Sequence, residues 1–166
     1  MGYDCYVRTA AGLEYNDPKC YFRRSIFSGR PLAEALIALD MGYDPAAYGL
    51  ESPDFPDSDE YGVTYEEWQD ENGDWQDGYK GERAAEYEQA AQAALSWHGV
   101  ADIPGIPVHK VCTSNDGWHV TKLECQAALG IYRERIAAGA EHPAAFRDDF
   151  IPFLEVAAQH DGFEVH

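Results

Sequence analysis

Tyr3-Asp4-Cys5-Tyr6-Val7-Arg8 stands near one end of the sequence and Phe163-Glu164-Val165-His166 at the other. These two stretches decide the fold class. The first alternates apolar and polar positions and is rich in β-favouring aromatics, so it predicts a strand. The second alternates too but is short, and so short a strand persists only when paired. The N-terminal strand is one candidate partner. Helical patterns fill much of the interval between them. The expectation is an α+β fold: a small, largely antiparallel sheet packed with about four helices, plus an acidic, aromatic-rich insertion at about 43–82. A chain of 166 residues fits one domain spanning 1–166 with a single core.

Working inward, Gly12 to Pro18 reads as a loop, and Cys20-Tyr21-Phe22 as a second strand or an aromatic lid. Pro31 suits the first turn of a helix that runs to about Asp40, with Gly42 as its stop. Leu32, Leu36 and Leu39 share one face of it. Ala33, Ile37 and Ala38 make it apolar nearly all round, which predicts burial on several sides. Asn72-Gly73, between Trp68 and Trp75, is a strong hairpin signal. A helix is expected from Glu82 to His98, its inner stripe being Tyr87, Ala91, Ala94, Leu95 and His98 and its end Gly99. Val108–Cys112 and Trp118–Val120 read as two strands joined through Asn115-Asp116-Gly117. Thr121 and Glu124 form a capping box that opens a helix carrying Cys125, Ala128, Leu129, Tyr132 and Ile136 on one stripe. A last helix is expected from Asp149, with Pro152 in its first turn.

Charge narrows the choice of partner. Between Glu51 and Glu82 twelve acidic residues face a single Lys80, and the formal net charge is −18. Such a surface opposes nucleic acid and anionic membranes and favours positively charged partners. Met1-Gly2-Tyr3-Asp4 has no basic or apolar leader character, and the longest apolar stretch, near Leu32–Leu39, contains Glu34 and is too short to span a bilayer. The expected location is the cytoplasm, with Cys5, Cys20, Cys112 and Cys125 reduced.

Three residue sets are candidate sites. In the acidic belt, Asp57, Asp59, Glu60, Glu66 and Glu67 with Trp68 and Trp75 form a candidate partner-binding surface. It reads either as a solvated face or as a nucleic-acid decoy held rigid by its aromatics. Asp70 to Asp74 copies the opening of a calcium loop, but Trp75 stands where glycine is needed and Gly81 where a bidentate glutamate is needed. A hairpin turn explains it better. Arg23, Arg24 and Arg30 form a basic island: residues 1–30 sum to +2 and the remainder to −20. The island leads into a helix start, where backbone N–H groups favour an anion. The competing reading is that these arginines pair with the protein's own carboxylates. His109, Cys112, His119 and Cys125 are zinc-capable types, but positions 109 and 112 of a strand face opposite ways. No metal ligand, cofactor or catalytic residue is assigned, and no nucleophile elbow, phosphate loop or dinucleotide fingerprint occurs.

The opening Met1-Gly2-Tyr3-Asp4-Cys5-Tyr6, the segment Tyr21-Phe22-Arg23-Arg24, the run Ser114-Asn115-Asp116-Gly117-Trp118 through Val120-Thr121 to Glu124-Cys125, and the closing His160-Asp161-Gly162-Phe163-Glu164-Val165 resemble small uncharacterised proteins of actinobacteria and their phages. The resemblance leaves out the acidic belt. It implies a phage or prophage origin and carries no catalytic residue over. The first expectation is a non-enzymatic acidic protein that binds a host protein with a basic surface, with nucleic-acid mimicry as one form of this. The alternative is a binder of a phosphorylated or carboxylated small molecule at the arginine-rich helix start. A metal- or cysteine-dependent enzyme comes third.

Overall fold

The computed structural model describes residues 2–166, the side chain of Ile26 excepted. Two units divide the chain: one runs to Ser52 and resumes at His98, and the other is Pro53–Trp97. In chain order the first supplies β1 (Gly2–Thr9), β2 (Gly12–Leu13), β3 (Tyr21–Ser25), α1 (Gly29–Ala38) and β4 (Gly42–Tyr43). The second supplies α2 (Ser58–Tyr61), β5 (Thr64–Gln69), β6 (Trp75–Lys80) and α3 (Ala84–Leu95). The first then resumes with β7 (Ile106–Pro107), α4 (His109–Cys112), β8 (Trp118–Val120), α5 (Lys122–Ala137), α6 (Phe150–Ala157) and β9 (Phe163–Val165). The fold is mixed α+β.

In the first unit the opening and closing strands do pair. β1 runs antiparallel to β9, with Cys5 opposite Val165 and Val7 opposite Phe163. β9 in turn pairs antiparallel with β8, and β1 with β2 and β3. Opposed residues share a face, so register sorts the sheet into a buried and a polar side. Tyr3, Cys5, Val7, Phe22, Trp118, Val120, Phe163 and Val165 form the buried side. On it α6 lays Phe150 and Phe153 against Phe22, at ring separations of 5.2 and 5.7 Å, and Phe153 also meets Phe163 at 5.1 Å. Each such ring contributes roughly 1.5–3 kcal/mol by leaving water. The polar side carries Asp4, Tyr6 and Glu164, with Arg8 donating to Glu164 at 2.7 Å.

Four local expectations are corrected. Val108–Cys112 is not a strand: His109–Cys112 forms the single turn α4, and β8 pairs with β9 instead of with it. A short apolar run without a fixed period serves either state, and here packing of α4 on α1 and β8 decides. The helix at Pro31 ends at Ala38, where Asp40 takes the left-handed conformation. Gly42 serves another purpose, since a Cβ there would lie 2.6 Å from the Ile106 carbonyl oxygen across the parallel β4–β7 pair. Nor is α1 buried on several sides, because Ile37 and Ala38 are exposed while Leu32, Ala33 and Leu36 face inward. Likewise α3 ends at Leu95, short of Gly99.

The second unit is built round Tyr87 of α3, which is buried. Tyr79, Tyr61 and Phe55 surround it at ring separations of 4.4, 5.6 and 6.4 Å. Tyr79 belongs to β6, so this cluster anchors one end of the β5–β6 hairpin. The other end closes through Asp70, whose carboxylate accepts from the backbone N–H of Asn72 and Asp74 at 2.9 and 3.0 Å. Gly73 takes a φ of 83°, the conformation this turn requires. Asp70 is thus engaged in turn formation, as the hairpin reading expects.

Candidate functional site

Among the described residues β5 and β6 pair only with one another. Their register sets Tyr65 opposite Tyr79, Glu67 opposite Asp77 and Gln69 opposite Trp75 on one face. The other face holds Glu66, Trp68 and Lys80, and it is internally neutralised. Lys80 Nζ lies 4.1 Å from the centre of the Trp68 ring and 3.6 Å from the Glu66 carboxylate. An aromatic face and a carboxylate together make a good seat for an ammonium.

The Glu67 face has the seat without the cation. Glu67 and Asp77 are like charges directly opposed, an arrangement that costs stability in an antiparallel pair. Among the described residues neither carboxylate has an ion-pair partner. Asp77 accepts a hydrogen bond from the Tyr65 hydroxyl, which pushes the tyrosine up to about 12. Beside them Trp75 is 70% exposed. Glu67, Trp75, Gln76 and Asp77 line a small open cleft of about 160 Å³.

The candidate belt residues therefore separate. Glu67 and Trp75 come together, whereas Glu66 and Trp68 occupy the opposite face. Asp57 caps α2 by accepting from the Asp59 N–H at 2.9 Å, and Asp59 and Glu60 lie in that turn. Asp77 was not singled out from sequence. The signal was present, since a register symmetric about Asn72 sets residue 67 against residue 77.

The three arginines do not converge. Arg23 is exposed and lies 3.6 Å from Asp4, and Arg30 is exposed and lies 2.8 Å from Glu34 on its own helix. Arg24 is different. Its register opposite Tyr3 turns it to the buried face of the sheet, where it is 2% exposed and stacks 4.2 Å from the Tyr3 ring.

Lys110 is completely buried, and its ammonium has an acceptor for each proton. Glu124 Oε1 and Oε2 accept at 2.7 and 2.8 Å, and His98 Nδ1 at 2.7 Å. A lysine ammonium only donates, so His98 is neutral with its proton on Nε2. Burial pulls Lys110 below its ordinary value, against the opposing pull of Glu124. Glu124 also closes the Thr121 capping box and lines an open cleft of about 440 Å³ with Ala101–Gly105 and Leu123. A lysine saturated and sealed in this way is a structural pin of α4 to α5, not a free nucleophile. The sequence reading had Glu124 as a cap only.

Of the zinc-capable residues, His109 is buried edge-on to Trp118, and His119 bonds the Asp161 carbonyl oxygen through Nε2 at 2.6 Å. Burial pushes the thiols of Cys112 and Cys125 up. Among the described residues no three His, Cys, Asp or Glu side chains stand together as a metal site. Within the same residues no helix is long and apolar enough to cross a membrane.

Comparison with protein-family models, curated proteins and solved structures finds no match.

Proposed function

We propose that this is a binding protein whose β5–β6 hairpin receives a lysine or arginine side chain from a basic surface of a partner protein. One observation carries the reading: Glu67 and Asp77 oppose one another without a cation beside an exposed Trp75. Lys80 fills the equivalent arrangement on the reverse face and supplies the chemical precedent. A partner's cation would relieve the repulsion between the two carboxylates and stack on the indole. The surrounding belt would speed association by attracting the partner over the Debye length. The resemblance to phage-associated proteins suggests a host protein as that partner, met in the bacterial cytoplasm.

Calorimetric titration with a lysine- and arginine-rich peptide tests this, with a glutamate-rich peptide as control. The basic peptide should bind, and affinity should fall as salt rises. Trp75→Ala should weaken it about 5–30-fold, the equivalent of ~1–2 kcal/mol for a cation on an indole. Glu67→Gln should weaken binding yet raise the stability of the second unit by about 0.2–1 kcal/mol, because it removes a like-charge pair. Equal binding by Glu67→Gln, Asp77→Asn and the unaltered protein at low salt would defeat the proposal.

A further inference from the structure

In the first unit, independently of the hairpin, we propose that Arg24 and the first turn of α1 form a binding site for a compact oxyanion of the phosphate class. Arg24 is 2% exposed, and among the described residues none of its Nε, Nη1 and Nη2 atoms has a hydrogen-bond partner. That is unexpected in a chain with 30 acidic residues, any of which could have supplied a carboxylate. Strand register explains why none does. Asp4, the acid nearest to it on the neighbouring strand, falls on the opposite face of β1 and takes the Tyr21 hydroxyl and Arg23 instead.

Among the described residues the guanidinium has no ion-pair partner. Its neighbours include the Tyr3 ring and the thiols of Cys5 and Cys112. Burial pushes Cys5 up to about 12 and also raises Cys112, so both are protonated at neutral pH although Arg24 pulls each the other way. The Cys5 thiol favours the charged arginine electrostatically and as a weak hydrogen-bond acceptor, but no contact between them reaches ordinary hydrogen-bond geometry, so it does not take the place of an anion. Burial itself pulls Arg24 down from its ordinary value, although an arginine remains charged at neutral pH. The result is a buried positive charge without a counter-charge, an arrangement that strongly favours acquiring one.

The helix start supplies the second half of the site. Gly29 is the first residue of α1, and a Cβ on it would lie 2.5 Å from Arg24 Nη1. The guanidinium therefore lies directly against the start of a ten-residue helix, and only glycine permits that approach. No side chain caps this turn and no acid stands in it, since the Ser28 hydroxyl donates to the Ser25 carbonyl oxygen instead, at 2.8 Å. First-turn N–H groups and the helix dipole favour an anion, and arginine adds the planar two-point donor that oxyanions accept. The global charge of −18 does not forbid an anion here, because distant carboxylates are screened beyond roughly 8 Å at physiological ionic strength.

Calorimetry and thermal unfolding of the whole protein in sodium phosphate test the site, against sodium chloride at matched ionic strength. Phosphate should bind saturably and raise the melting temperature by about 3–6 °C at ten times its dissociation constant. Arg24→Met should lose this response while remaining at least as stable without phosphate, because an uncompensated charge has been removed. Gly29→Ala, which displaces the guanidinium, should weaken phosphate at least tenfold. Sodium acetate should give no comparable shift. The site is refuted if the unaltered protein responds to phosphate no more than to chloride, if Arg24→Met keeps the response, or if acetate matches phosphate. The unaltered protein decides the question even if a variant fails to fold.

Discussion

Replacing Glu124 with glutamine should be far more damaging than replacing the lysine it holds. Lys110 is fully buried, and its Glu124 partner is 13% exposed, at 2.7 Å. In Glu124→Gln the ammonium stays buried beside a neutral amide. Breaking one side of such a pair typically costs about 3–5 kcal/mol, because the remaining charge has lost its compensation. For a chain of this size that corresponds to a fall of about 6–20 °C in melting temperature. The amide oxygen still accepts from the Thr121 N–H, so the helix cap contributes little to the loss. Lys110→Met removes the charge that burial already disfavours and leaves Glu124 at the edge of an open cleft, so its cost should be only about 0–2 kcal/mol. The double variant Lys110→Met/Glu124→Gln should then recover most of what Glu124→Gln loses. Urea unfolding of the four proteins completes the cycle. pH gives a second check with a definite sign. Burial sets the folded-state pKa of Lys110 below the ordinary 10.5, so the unfolded chain binds more protons between those two values. Stability must therefore rise with pH across that window, and more steeply in Glu124→Gln, where the opposing carboxylate is gone. A double variant as unstable as Glu124→Gln alone, or a Glu124→Gln protein whose stability is flat from pH 7 to 9.5, would refute the reasoning.

Three further expectations concern the first unit. Leu36→Ala, at a position with no exposure, should cost about 2–5 kcal/mol, and a loss under ~0.5 kcal/mol by urea unfolding would show that α1 packs on another face. His98 is held below its ordinary 6.5 by burial first and then by Lys110, against the pull of Glu124 and with the help of His119. Its contribution is therefore complete above pH 6.5 and is lost as pH falls through the lower folded value. Glu164, held below 4.5 chiefly by its hydrogen bond from His166, adds a separate loss that begins only under pH 4.5. Unfolding curves should show the first loss disappearing in His98→Asn, which keeps an acceptor for Lys110 without a titrating ring. Persistence of that step in His98→Asn would reject the assignment.

Features written in neighbouring residues were readable from sequence. The capping box of Thr121 and Glu124, the Asn72-Gly73 turn and the period-two alternation of Tyr3–Arg8 each depend on contacts a few residues apart, and each forms as expected. Phe163–Val165 was readable for a related reason, since so short a strand cannot persist without a partner. Val108–Cys112 was misread because five residues without a clear period suit a strand or a turn of helix equally. The sites were harder. Glu67 and Trp75 were identified as members of a belt, but not as one face of a hairpin that excludes Trp68.

Charge balance, the Asn72-Gly73 turn and the Thr121–Glu124 cap are determined by the sequence itself, because composition and local backbone preference need no distant partner. Which charges are buried is a different kind of property. Arg23 and Arg24 are adjacent and chemically identical, yet one is solvated beside Asp4 and the other is sealed against Tyr3 and Gly29. Lys110, one of twelve basic residues, is the one driven into the interior between His98 and Glu124. Neither outcome has a local cause. Each follows from pairing β1 with β3 in one particular register and from packing α4 against α1 and β8. A shift of one residue in a strand exchanges its faces, so only the assembled tertiary structure decides which side chain loses its water.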